Sequence, residues 1–305
     1  MSETTPRSPA ELSRSLAPAD LQRAIEELGT EPRTCVVCGG ARFERAFLRS
    51  GKWFWRCSAC TLVFVHDIYP EFLDDTGGLS EQYSFEQAAE AGPRKRAKYD
   101  EFLALVAPRV TGRRMLEVGC GQGLFLVHAR AAGWNVRGVD VLEPVVTHAR
   151  ARGLEVFLGT LHAANLPAAS FDLVAMREVI EHVVEPVDLM REVARVLVPG
   201  GVAALGTGNA GSWSARLRGR RWAYYAFGGH AHIRFYSPHS ARALAHAAGF
   251  ESVECHSRGF AFLENEEARG HWYRPLLKLA QAPISPLARV AGAGQRLVML
   301  FRKGL

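Results

Sequence analysis

No stretch of this sequence reaches the 18 or more consecutive apolar residues of a membrane-crossing helix. Its start also lacks a basic segment followed by an apolar one, so neither a membrane span nor an export signal is expected, and a cytoplasmic setting is. Lysine is scarce. Nearly all of the 37 basic residues are arginine, and 31 acidic residues reduce their excess to a net charge of +6. So small an excess permits an anionic partner without demanding nucleic acid. Cysteine numbers only six, and in a cytosol two disulfides are a disfavoured use of the four that fall close together. With 48% apolar and 22% charged residues over a length of 305, the composition is that of a soluble globular protein of about two domains.

What is present is organised around residues 115–126, an apolar run entering three alternating glycines, Gly119, Gly121 and Gly123, and then a helical pattern. Glycine tolerates positive φ and lets the backbone approach a ligand where a strand gives way to a helix. Asp140 ends a second strand-like run, Arg137-Gly-Val-Asp, near the roughly 20-residue offset at which a carboxylate accepts ribose hydroxyls. The spacing Gly-x-Gly-x-Gly differs from the dinucleotide pattern Gly-x-Gly-x-x-Gly. Glu117 adds a negative charge where a phosphate would be repelled. A nucleoside with a cationic, phosphate-free end fits better than NAD.

Glu117-Val-Gly-Cys-Gly-Gln-Gly123, Asp140, Leu158-Gly-Thr-Leu161, Ser170-Phe-Asp-Leu-Val174 and Leu197-Val-Pro-Gly-Gly-Val202 resemble, in order, the motifs of a class I S-adenosylmethionine (SAM) dependent methyltransferase. The resemblance spans about residues 95 to 302. It implies an α/β, Rossmann-like sheet of seven strands with the last one antiparallel. It also implies a SAM site holding Glu117, Gly119, Gly121, Gly123 and Asp140, with Asp140 on the ribose, Thr160 and Leu161 near adenine, and Arg177 counted with them. The periodicity agrees: helix over Arg94–Val106, then strands and helices in alternation at 145–152, 154–158, 171–176, 187–197 and 202–206, a helix at 241–248, and strands at 253–256 and 296–302. Such alternation implies a mostly parallel sheet with ligands at the carboxyl ends of its strands.

Ahead of this region, Cys35-Val-Val-Cys38 and Cys57-Ser-Ala-Cys60 are separated by eighteen residues, the spacing of a two-knuckle structural zinc site. Phe43 to Trp55 reads as a hairpin and Leu62–Val65 as a further strand, so a zinc ribbon is expected over 34–66, a unit too small to fold without its metal. Residues 1–33 read as a mobile tail with one short helix from Asp20, and 67–93 as a linker in which Tyr83 and Phe85 are candidates for a lid. Cys120 and Cys255 read as buried apolar residues.

Two places carry candidate chemistry. In Arg177-Glu-Val-Ile-Glu-His-Val183, helical spacing would put Glu178, Glu181 and His182 on one face, able to hold a divalent cation or to act as a general base. This segment resembles the Glu-x-x-Glu-His of ubiquinone-pathway O-methyltransferases, which implies a metal near the acceptor. Then 209–236 interleaves arginines with Trp213, Trp222, Tyr224 and Tyr225 and leads to His230 and His232, imidazoles poised to take a proton near neutral pH. Both this stretch and 259–295 read as substrate covers.

A zinc ribbon before a SAM domain resembles the zinc-containing sugar C-methyltransferases, whose Tyr and His residues after the fifth strand act as bases, although this chain has no room for their large further domain. It also resembles zinc-bearing rRNA methyltransferases, but the ribbon carries too little positive charge for an RNA grip. The reading is methyl transfer from SAM to an oxygen or carbon of a small or glycan-linked acceptor, with Glu181, His182, His232 and His230 as candidate catalytic residues. An RNA enzyme and a non-catalytic SAM-binding protein are the alternatives.

Overall fold

The computed structural model describes residues 32–49, 52–66, 91–225, 232–260 and 274–305. The helix expected after Asp20, the Tyr83 and Phe85 lid and His230 lie outside the described residues.

Strands β1 (Phe43–Arg49), β2 (Lys52–Cys57) and β3 (Val63–Val65) form the expected antiparallel ribbon. After α1 (Pro93–Val106) the alternation runs β4 (Arg114–Val118), α2 (Leu124–Ala131), β5 (Asn135–Asp140), α3 (Glu143–Ala151), β6 (Val156–Leu158), β7 (Phe171–Arg177), α4 (Pro186–Val196) and β8 (Leu197–Gly208). The chain continues through α5 (Trp213–Arg218), β9 (Arg234–Phe235), α6 (Pro238–Ala247), β10 (Ser252–Arg258), α7 (Arg274–Gln281), α8 (Ile284–Val290) and β11 (Arg296–Arg302). The large sheet has seven strands in the order β10-β11-β8-β7-β4-β5-β6. β4 to β8 pair in parallel, and β11 inserts antiparallel between β8 and β10. The order reverses beside β4, so the carboxyl ends of β4 and β7 open the crevice in which such sheets bind ligands.

The helices show why these residues take these forms. In α4, Pro186 presets the first turn, Asp188 and Arg195 oppose the helix dipole at the two ends, and Met190, Val193 and Val196 recur on one buried face. β7 is buried over its first six residues, as a strand covered on both faces must be.

One join was not anticipated. β9, inside the segment read as a substrate cover, hydrogen-bonds to β3 as the fourth strand of the ribbon's sheet, pairing Val63 with Phe235 and Phe64 with Arg234. Cys35, Trp55, Cys57 and Phe64 share one buried cluster with Met176, Ile180, Leu205 and Tyr236 of the larger unit. The ribbon and the α/β sheet therefore have a continuous core.

Candidate active site

β4 delivers its carboxyl end into the glycine turn, where Gly119, Gly121 and Gly123 all have positive φ, at 69°, 53° and 74°. Two of them are also packed tight. A Cβ on Gly119 would stand 2.4 Å from Val179 Cγ2, and one on Gly123 would stand 2.3 Å from Leu154 Cδ1. At Gly121 a Cβ would meet nothing within 4 Å. Gly121 lines a cavity of about 670 Å³, together with Asp140, Thr160, Leu161 and Arg177. Asp140 closes the turn. Its Oδ2 accepts from the Gly121 amide at 2.7 Å and its Oδ1 from the Leu142 amide at 3.0 Å, while burial pushes its pKa up.

Beneath the turn, Glu117 is 2% exposed, and burial raises its carboxyl to about 8 against the opposing pull of Arg177. Arg177 Nη1 lies 3.5 Å from Glu117 Oε1, and its guanidinium sits 4.5 Å from the ring centroids of both Tyr99 and Phe125. Glu117 Oε2 is buried with no hydrogen-bond partner. An orphaned buried acceptor is costly, and a ligand ammonium would satisfy it. The cavity thus fits SAM: a glycine-lined wall, the Asp140 carboxylate beside it, and Arg177 joining it to the buried acceptor of Glu117. Of the sequence-predicted cofactor residues, Gly119, Gly121, Asp140, Thr160, Leu161 and Arg177 line the cavity, while Gly123 and Glu117 lie behind that lining.

The same cavity is also lined by Glu178, Val179 and His182, which follow Arg177 in the chain. The expected helix through these residues is absent. Glu178 has a positive φ of 59°, and only a single 3₁₀ turn, Ile180–His182, follows. The i, i+3, i+4 face of Glu178, Glu181 and His182 is therefore not built. Instead ligand atoms of Glu181, His182 and His232 lie within 4.8 Å of one another. The His182 and His232 rings meet edge to face at 4.8 Å. His232 Nδ1 is 3.1 Å from the Tyr224 carbonyl oxygen. A carbonyl can only accept, so Nδ1 carries a proton and the neutral ring's lone pair is on Nε2.

Glu178 turns the other way, to a bidentate pairing with Arg296 at 2.9 and 3.1 Å. The Tyr224 hydroxyl bridges the two acids, touching Glu178 Oε2 and lying 2.9 Å from Glu181 Oε1. A phenol has one proton to give. The second contact needs a proton on a carboxyl, and Glu181 provides it: fully buried and facing Glu178, its pKa is raised to about 8. Tyr224 is held well above its ordinary pKa by burial and by the two acids. Its ring stacks on His232 at 4.7 Å and lies against Gly208, where any Cβ would come within 2.4 Å of it.

Arg296 was missed in the sequence because its partners are remote. The register pairing Arg296 with Gly208 brings the start of the last strand to the carboxyl end of β8, and nothing near Arg296 in the sequence announces that. The arginines of 216–221 are not drawn into the cluster; that stretch packs on the ribbon, where Arg49 donates to the carbonyls of Arg220 and Trp222.

In the ribbon, Cys35 Sγ and Cys60 Sγ are 3.7 Å apart, Cys38 Sγ and Cys57 Sγ 3.6 Å, and all four sulfurs lie within 4.8 Å of one another. Zinc in a tetrahedron of thiolates with bonds of about 2.3 Å would set its sulfurs roughly 3.8 Å apart. The four cysteines fit that centre. Cys120 is buried and Cys255 half-buried, both with raised pKa, as inert thiols are.

Residues 91–255 match the family model described as a methyltransferase domain. Two curated relatives are ubiquinone biosynthesis O-methyltransferases: that of Caulobacter sp. (strain K31), 37% identical over 32% of this chain and 42% of the relative, and that of Caulobacter vibrioides, 30% identical over 51% and 65%. The match thus spans about two fifths to two thirds of these relatives. Among solved structures, phosphoethanolamine N-methyltransferase 2 of Haemonchus contortus, in complex with S-adenosyl-L-methionine, aligns with a TM-score of 0.52 at 21% identity, over 80% of this chain and 62% of that one. At that identity the likeness shows the fold alone.

Proposed function

We propose that this chain, which belongs to the methyltransferase domain family and has the class I SAM-dependent fold, methylates a hydroxyl of a small acceptor that enters over His182 and His232. The observation that carries the reading is the Glu181, His182 and His232 cluster, which reaches the cavity through His182. The O-methyltransferase relatives support oxygen over carbon as the atom methylated.

Bound in the cavity, SAM would supply a methyl group on a sulfonium, ready for in-line attack by a nucleophile. What the protein adds is alignment and a place for the acceptor's proton. Asp140 would hold the ribose, Thr160 and Leu161 would flank the adenine, and Glu117 with Arg177 would bind the amino and carboxylate end. His232, its Nδ1 proton pinned to the Tyr224 carbonyl, would present Nε2 as the base. Glu181, which already carries a proton, would release it to Tyr224 as the phenol proton moves to Glu178, and would take up in its place the proton from His232. The same three ligands, Glu181, His182 and His232, would suit a divalent cation that ionises an acceptor hydroxyl directly; that second reading replaces the expected Glu178 by His232. In the ribbon, zinc would sit on Cys35, Cys38, Cys57 and Cys60 as a closed site with no position for water, hence structural.

The test is transfer of labelled methyl from SAM to a panel of catechols and other phenols, nucleotide sugars and RNA, with and without added magnesium and with a chelator too weak to strip the ribbon. Methylation of a phenol is the expected result. Activity only on sugars, or on RNA with a steep salt dependence, would move the acceptor class. SAM binding with no product across the panel and no activity in Glu181→Gln or wild type would favour the non-catalytic alternative.

A further inference from the structure

The ribbon touches the acid–base cluster through the backbone itself. The Val65 amide, at the end of the last ribbon strand, donates to the Ile233 carbonyl at 3.0 Å, and the Ile233 amide donates to the Glu181 carbonyl at 2.8 Å. Three successive segments, the ribbon strand, β9 and the 3₁₀ turn of Glu181, are thereby fixed in one line. His232 is the residue immediately before Ile233. The knuckles add two side-chain ties to the same region: Thr61 Oγ1 meets Ser237 Oγ at 2.9 Å, and His239 Nε2 meets the carbonyl of Ala59, which lies between the two downstream cysteines, at 3.0 Å.

Arg234 sits at the centre of this junction and is 3% exposed. Its guanidinium donates to three carbonyls from three segments, Val65 at 2.8 Å, Ile233 at 3.1 Å and Val184 at 3.3 Å, and lies 5.8 Å from the Phe64 ring centroid. Val184 lines the cavity. A buried cation whose bonds go to carbonyls needs opposite charge nearby. Burial works against its charged form, and the Glu185 carboxylate is among the groups that favour it.

At the cofactor end the ribbon's contact is apolar, Leu161, Val118 and Val139 sharing the buried cluster of Cys35 and Phe64. Gly121, Asp140 and Glu117 are held by the parallel strands β4, β5 and β7 and by one another.

We propose that the zinc ribbon is a working wall of the acceptor site, with Arg234 as its positioning residue: the ordered ribbon, acting through Arg234, sets the place of Glu181 and His232, so that metal in the ribbon governs methyl acceptance but not SAM binding. This rests on the reading of the Glu181, His182 and His232 cluster as the place where the acceptor reacts. Its test therefore uses readouts that need no acceptor.

Full-length protein is labelled with ¹⁵N-histidine, and three forms are compared with wild type: Arg234→Met, Arg234→Lys, and Cys60→Ser. Zinc content, SAM affinity by calorimetry, amide hydrogen exchange at Val65 and Ile233, and the tautomer of the His232 ring are measured on each. Arg234→Met is expected to keep its fold while exchange at Ile233 accelerates at least about tenfold, an opening of local structure rather than of the whole chain. The His232 ring should lose its fixed Nδ1-protonated form. SAM affinity should stay within about threefold of wild type, because the Gly121 amide and Asp140 hold each other without Arg234. Arg234→Lys, which keeps charge and loses the fork, should recover part of both signals. Cys60→Ser should bind no zinc and show the larger change at Ile233 and His232, again with SAM affinity kept.

Unchanged exchange at Ile233 and an unchanged His232 tautomer in Arg234→Met and in the zinc-free Cys60→Ser would overturn the proposal. So would a parallel collapse of SAM affinity in the still-folded Arg234→Met. If instead the spectroscopic changes occur and no acceptor is ever methylated by the wild type, the positional coupling stands and the assignment of the cluster to the acceptor fails.

Discussion

The cofactor residues and the acid–base cluster are built on different plans. The glycine turn of the cofactor end is assembled from residues close in sequence: Gly121 and Asp140 are 19 apart, and their contact is a backbone amide on a carboxylate, although Arg177 joins Glu117 from the more distant β7. The acceptor end is assembled from remote ones. Tyr224 reaches Glu181 across 43 positions, Arg296 reaches Glu178 across 118, and Arg234 reaches Val65 across 169. A site made of one strand, one turn and the next strand forms as soon as the sheet does. A site made of a 3₁₀ turn, a two-residue strand, the edge of a ribbon and the last strand requires all of them in register.

The sharpest way to break the cofactor end is Gly123→Val. The position combines a φ of 74° with only 2.3 Å to Leu154 Cδ1, so SAM affinity should fall beyond detection. The ribbon's zinc content should persist unless the whole chain unfolds, which circular dichroism would report. Gly121→Ala, with open space around its Cβ, should cost much less, leaving only backbone strain of about 1 kcal/mol or more.

At the acceptor end, Glu181→Gln should lower turnover by roughly 10² to 10⁴-fold, the range of a lost proton-transfer group, with SAM affinity unchanged. A comparable loss of SAM affinity would show that the two ends are one site. Glu117→Gln is the converse. It should weaken SAM binding about tenfold or more by removing the charge that meets the ligand ammonium, while leaving the Glu181 cluster in place.

The same substitution should also stabilise the ligand-free protein. An acid whose pKa is raised on folding contributes stability that is fully present below its unfolded value, near 4.5, and is lost as pH climbs through the folded value of about 8. Glu117→Gln should therefore raise the melting temperature by several degrees at pH 8.5, and hardly at all at pH 4. An equal gain at both pH values would show that burial of the charge is not the cause.

The smallest effect is expected away from both ends. Asp172 accepts from the Arg114 amide and guanidinium at 2.9 to 3.1 Å, which depresses its pKa, but Arg114 is 49% exposed. Asp172→Asn should cost about 1 kcal/mol near neutral pH after allowance for solvent screening. That stability is present above the unfolded pKa and is lost as pH falls through the depressed one, so the two proteins should converge in acid denaturation. SAM binding should not notice.

How much of this was legible depended on range. The placement of the glycine turn, Asp140, Thr160 and Leu161 around one cavity was readable because each stands within a few residues of a strand end, and the strand ends were marked by apolar runs. The four cysteines were readable because two knuckles are a local pattern. The segment 177–183 misled. Its spacing of Glu178, Glu181 and His182 is helical, but β7 runs directly into it, and Glu178 adopts a left-handed conformation to place its carboxylate on Arg296. His232 then takes the position that Glu178 was expected to hold.

By itself the sequence determined what depends on period and short spacing: an alternating α/β sheet, a glycine turn with an acid closing it, and a cluster of four thiols. These are set by interactions between neighbours in the chain, which the order of residues records directly. Only the tertiary structure decided which acids and imidazoles meet, that Arg296 and Tyr224 join them, and that the ribbon completes its sheet with a strand from the far side of the chain. Those contacts come from sheet register and from the packing of a shared core, and both are properties of the whole fold that no local pattern encodes.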